Sequence, residues 1–164
     1  MKAITVWQPW ASLIAVCAKI YETRSWATKY RGPIAIHAGK MPYNLGDIDF
    51  ALARGIMSAA EHIFGIYEAN NLPLGAVIAT AELVECWPIV GIKPYPPAPN
   101  GYCAFIEKPC ASIQHSRTPI DGNELIFGDW TPGRFAWQLA NVKMLPEPMP
   151  ARGRQGLWDW RTTV

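Results

Sequence analysis

The residues best placed to do chemistry lie together near the N-terminus, in Lys19-Ile20-Tyr21-Glu22-Thr23-Arg24-Ser25-Trp26. An ammonium, a carboxylate and a guanidinium fall within six residues, directly after an apolar stretch. Burying such groups unpaired costs several kcal/mol each, on the order of the stability of a small domain. They must line a cleft or pair with one another. A surface Glu22–Arg24 pair is the plain alternative, and such pairs contribute little. A second arrangement, Ser12 or Cys17 with His37 as nucleophile and base, lacks a third group to orient the histidine. His37 ends an apolar run and reads as a semi-buried, hydrogen-bonded residue.

The elements around the charged cluster can be read from periodicity. Ala3–Trp7 is rich in β-branched residues and predicts a first strand. Gln8-Pro9 breaks it, and Pro9 suits a first helical turn, where its missing N–H is not needed. Trp10, Leu13, Ile14 and Cys17 recur at helical spacing, predicting a helix to about Ala18. Ile20–Trp26 alternates as a strand, with Ile20, Glu22, Arg24 and Trp26 on one face. Lys19 then sits at the helix-to-strand junction. Arg31-Gly32-Pro33 predicts a turn, and Ile34–Ala38 a buried strand. Residues 45–62 have helical spacing, and Leu74–Trp87 predicts a long central strand. Prolines 88, 94, 96, 97 and 99 predict a loop or lid near 88–100. Two later strands are expected at Arg134–Leu139 and Val142–Leu145. With no repeat and no linker, residues 1–164 read as a single domain of α+β class with a curved or closed sheet.

Composition narrows the setting. Half of the 164 residues are apolar and 17% are charged, as in a globular protein and unlike a disordered one. Eight tryptophans supply packing area, and any left exposed could stack on bases. The apolar stretch Ala11–Ala18 is too short to span a membrane, and the N-terminus lacks a signal-peptide layout, so a cytoplasmic protein without membrane contact is expected. The four cysteines form no CxxC pair and read as reduced thiols. Their spacing from the histidines does not suggest a metal site, and no cofactor is called for. Charge is segregated: residues 1–40 carry a net +5, residues 41–140 a net −5, and the tail a net +2. This predicts a basic face built from the N-terminal segment and the tail.

Several motifs together resemble the ASCH domain. They are Gln8-Pro9-Trp10-Ala11-Ser12-Leu13-Ile14, Lys19-x-x-Glu22-x-Arg24-x-Trp26, Gly32, and Ile36-His37-Ala38-x-Lys40. Near the C-terminus, Gly128-Asp129-Trp130-x-Pro132-Gly133-Arg134-Phe135-Ala136-Trp137 and Arg152-Gly153-x-Gln155-Gly156-Leu157-Trp158 look like longer bacterial and phage members. The family signature reads G-x-K-x-x-E-x-R, and its glycine falls at Cys17 here. A glycine would allow a left-handed helix end at little cost, whereas another residue costs roughly 1 kcal/mol there or extends the helix.

The resemblance implies a PUA-like small mixed β-barrel flanked by helices, with the Lys-x-x-Glu-x-Arg segment facing a cleft. It implies binding of RNA, single-stranded, or of a modified nucleoside. Some small bacterial members hydrolyse N4-acetylcytidine with a lysine, a threonine and a glutamate. Carried over, the lysine is Lys19 and the glutamate Glu82, whereas Glu22 stands at the threonine position. If the chain is an amidohydrolase, or a ribonuclease, its catalytic candidates are therefore Lys19, Glu22 and Glu82. Two carboxylates beside Lys19 would hold it charged, which favours binding over general-base catalysis. On the binding reading, Lys19 and Arg24 meet a phosphate or base edge, with Glu22 and Glu82 fixing them. Lys29, Arg31, Lys40, Arg152 and Arg154 are the further phosphate candidates. Trp26 and Tyr30 are the candidates for touching a base, and Trp7, Trp10, Trp137 and Trp158 are expected in the core.

Overall fold

The computed structural model describes residues 1–41, 72–109 and 116–161. These form a mostly-sheet structure with two short helices. In chain order the strands are β1 (Lys2–Val6), β2 (Tyr21–Arg24), β3 (Gly32–Ala38), β4 (Ala76–Pro94), β5 (Tyr102–Lys108), β6 (Ser116–Ile120), β7 (Phe135–Pro150) and β8 (Leu157–Asp159). The helices are α1 (Trp10–Ala15) and α2 (Gly122–Phe127). The helix expected over residues 45–62 lies outside the described residues.

The chain divides into two compact units. The first comprises Met1–Lys19, Gly32–Glu82 and Ala140–Val164. Its centre is β1, which pairs in parallel with β3 (Ile4 opposite Ile36) and antiparallel with β8 (Ala3 opposite Trp158). Residues Ile34 to Ala38 are buried without interruption, as a strand covered on both faces requires. Ala3, Ala35, Val77, Trp158 and Trp160 form one core cluster of this unit, with Leu145, Met149 and Ala151 packed against it. His37 is buried, and its Nε2–H donates to the Ala151 carbonyl at 3.0 Å. Burial holds its pKa below the usual histidine value, with the Lys40 charge adding to that and the Ala151 bond opposing it. Gly153 touches this ring so closely that a Cβ would stand 2.4 Å from His37 Cε1.

The second unit comprises Ile20–Arg31 and Leu83–Leu139. Here β2 pairs antiparallel with β7, and β5 lies antiparallel to both β4 and β6. Tyr21, Ile89, Ala104, Ile106, Ile120, Trp130 and Ala136 make its core, with Trp87 and Leu125 packed alongside. The indole N–H groups of Trp87, Trp130 and Trp137 all find acceptors, on Gln138 Oε1, the Glu124 carbonyl and the Trp26 carbonyl. That satisfies the one polar atom each brings into the interior.

Three expectations change. The sheet is mixed and open rather than a closed barrel; its last strand, β8, has only three residues to offer a partner. The proline-rich region is a loop only in part, because β4 runs through Pro88 to Pro94 before the turns at 95–100. A register shift between Ile89 and Gly91 interrupts its pairing with β5, and proline is tolerated at such irregular places. The two strands expected near 134–145 are one, β7, continuing to Pro150 with Asn141 at a positive φ of 49°.

Two outcomes follow for the first unit. Gly153→Ala should destabilise by about 1–3 kcal/mol, read from the urea midpoint, because the added methyl has no room beside His37 and Thr5. His37 binds its proton less readily folded than unfolded, so the unfolded chain takes up more protons as pH falls below about 6.5. Stability should therefore drop through that range, and His37→Gln should flatten the slope in a pH series of unfolding midpoints.

Candidate functional site

The end of α1 sets where Lys19 begins. Val16 closes the helix and Cys17 takes the left-handed conformation, with φ at 62°. Its N–H donates to the Ile14 carbonyl at 2.9 Å, while the N–H groups of Ala18 and Lys19 both reach the Leu13 carbonyl at 2.9 and 3.1 Å. These bonds satisfy carbonyls that a helix end would otherwise leave open. The cysteine thus adopts the conformation for which the signature has a glycine, and the helix stops at Ala15 rather than extending to Ala18. At the other end, the Gln8 side chain accepts from the Ser12 N–H at 3.1 Å and donates to the Pro73 carbonyl at 2.9 Å. Lys19 itself is buried, 1% exposed.

In the second unit, β2 carries Glu22 and Arg24. Glu22 and Arg24 form an ion pair, with Oε1 3.0 Å from Nε, and neither side chain is more than a quarter exposed, 11% and 25%. The pair is therefore semi-buried, and removing one partner costs more than breaking a surface ion pair. The strand is braced from three sides. Glu124 of α2 accepts from the backbone N–H groups of Ile20 and Tyr21; burial, and then this carboxylate, push the Tyr21 phenol up. Thr23 Oγ1 accepts from the Asp129 N–H at 3.0 Å. Trp137, opposite Glu22 on β7, packs edge-on against Trp26 at 4.6 Å.

The segment 128–134 explains itself through this brace. Asp129 accepts from Thr131 Oγ1 at 2.6 Å and pairs with Arg134 Nε at 3.2 Å. The Thr131 bond, assisted by Arg134, keeps the Asp129 carboxyl below its ordinary value. Gly128 has to be glycine, since a Cβ would lie 2.7 Å from the Trp130 indole nitrogen. The sequence displayed these residues without disclosing their task, because their partners on β2 lie more than a hundred positions away.

The remaining candidates are placed as follows. Glu82 is exposed on β4 and accepts from Asn141 Nδ2 at 2.7 Å, within the first unit. Arg31 is committed locally: it donates to the Thr28 and Tyr30 carbonyls and to Glu85 at 2.8 Å. That bond is the main reason the Glu85 carboxyl is held low. Lys29 and Lys40 are exposed, the latter with its stem against Gly75. Arg152 and Arg154 are exposed and line a hollow in the first unit. Trp137 and Trp158 are core residues as expected, and Trp10 is half-buried. Trp7 is not in the core: it is 58% exposed, one residue past the last β1–β3 pair.

Comparison with protein families gives a match to the ASCH domain over residues 4–148. The chain belongs to the ASCH domain family. No curated protein matches it. The ASCH match encloses the helix end at Cys17, the Glu22–Arg24 strand and the 128–134 brace. Among the described residues, no helix of this ASCH protein is long and apolar enough to cross a membrane. Nor do the described residues include a group of three or more His, Cys, Asp or Glu side chains that could hold a metal ion.

The left-handed cysteine gives a direct check on the signature. Cys17→Gly should raise stability by about 1 kcal/mol by relieving the Cβ clash at positive φ. Cys17→Val should lower it by at least as much. Urea unfolding midpoints measure both.

Proposed function

We propose that residues 1–164 form one ASCH domain that binds single-stranded RNA or a modified nucleoside through its Lys19–Trp26 segment. Arg24 meets a phosphate or base edge, Glu22 orients it, and the buried Lys19 adds positive charge to the field rather than a contact. Trp26 lies against a base. Lys29 and Lys40 add phosphate contacts. Arg31 adds charge to the field rather than a fork of its own, since Glu85 and two carbonyls engage it. The domain works in the cytosol, where the thiols of Cys17, Cys86 and Cys103, all free, stay reduced.

The observation that carries the reading is the semi-buried Glu22–Arg24 pair. A guanidinium ion-paired with a carboxylate and only a quarter exposed is restricted before binding, so less side-chain freedom is lost when it meets an anion. Membership of a family generally linked to RNA binding supports the same conclusion.

Hydrolysis of an acylated nucleoside by Lys19, Glu22 and Glu82 is disfavoured. Glu22 replaces the threonine of the hydrolytic members, and the neighbouring Thr23 hydroxyl is tied to the Asp129 N–H. Among the described residues, His37 is no better placed as the base of a ribonuclease, being buried against Gly153 and Ala151.

Association with a labelled single-stranded RNA, titrated at several salt concentrations, tests the proposal. The expected result is affinity that falls linearly with log salt, and a loss of about tenfold or more for Arg24→Gln. Release of acetate from N4-acetylcytidine that disappears in Lys19→Ala would replace binding with catalysis. No RNA association at low salt would end the proposal.

A further inference from the structure

The tail of the chain builds a second feature from residues outside the Lys19–Trp26 segment. Residues 149–152, 154 and 158–161 line a hollow of about 310 Å³ in the first unit, near the lower end of ligand-site volumes. Arg152, Arg154 and Arg161 are exposed at this hollow, whereas the Trp158 and Trp160 indoles that line it are buried. Its one carboxylate, Asp159, is neutralised by Lys2 at 2.9 Å, and that bond keeps its pKa low. Among the described residues no ion pair engages Arg152, Arg154 or Arg161. Three guanidiniums are left in excess around one concavity.

The segment that bears them is tied down by hydrogen bonds to the rest of the unit. The Ala151 N–H donates to Gly75 O, and the Trp160 N–H to Met1 O. The Thr5 hydroxyl donates to Arg154 O at 3.0 Å and accepts from Trp158 Nε1 at 3.2 Å. Anchored in this way, the hollow needs little ordering before it receives a ligand. Guanidinium forks match phosphate oxygens, and free carboxylates to discriminate an exocyclic amine are missing, Asp159 being occupied. The indoles are too buried to stack on a base. Such a site positions a chain without reading its sequence.

We propose that this hollow is an anion site that holds a backbone phosphate of the bound RNA. The inference rests on the RNA-binding reading and adds to it an interaction indifferent to base identity. Its test is the salt dependence of single-stranded RNA association for the full chain and for a variant carrying Arg152→Ala, Arg154→Ala and Arg161→Ala. All three side chains are exposed, so the unfolding midpoint should stay unchanged; Arg154→Glu alone serves if it does not. The slope of log affinity against log salt should become shallower by about 0.7 for each phosphate that is no longer neutralised, with the preference among RNA sequences unaltered. An unchanged slope in the variant, with the unaltered protein binding RNA, overturns the hollow alone. Absence of salt-dependent binding in the unaltered protein overturns the RNA reading and the hollow with it.

Discussion

A buried ammonium and a buried carboxylate, Lys19 and Glu22, stand three positions apart in the sequence and constrain what surrounds them. Neither group enters a protein interior without compensation, so the backbone that delivers them has to be fixed closely. For Lys19 the fixing element is the helix end, where Cys17 turns left-handed and two N–H groups converge on the Leu13 carbonyl. For Glu22 it is β2, held by Glu124 at its start, Asp129 at its middle and β7 along its length. Much of the second unit is thus scaffolding for one four-residue strand.

That dependence explains why the C-terminal motif accompanies the N-terminal one. Gly128 lets the Trp130 indole approach, Trp130 packs edge-on to Tyr21, and Arg134 pairs with the aspartate that binds Thr23. The charged residues of 128–134 serve to hold β2 in place.

The N-terminal elements are legible in the sequence because their information is local. Alternation in β1, helical spacing in α1 and the apolar run of β3 need only neighbours, and each lies where expected with boundaries differing by one to three residues. β4 is longer than its sequence suggests, since proline marks a break in sequence, whereas here Pro88 and Pro94 lie within an irregular stretch of strand. β7 reads as two strands with Ala140 and Asn141 between them; Asn141 takes a turn-like φ, yet the strand continues. β5 and β6 carry little local signal: Ser116–Ile120 is largely polar and contains a proline, and its place is decided by pairing with β5. The charged cluster is visible in the sequence, but its support is not, nor the exposure of Trp7 or the part played by Arg161 at the tail hollow.

NMR of the arginine and indole N–H groups during addition of single-stranded RNA shows whether the RNA lies at the signature segment. The Arg24 Nε–H and Trp26 indole signals should shift together and saturate with the binding curve. RNA binding that leaves both signals where they were would place the RNA elsewhere.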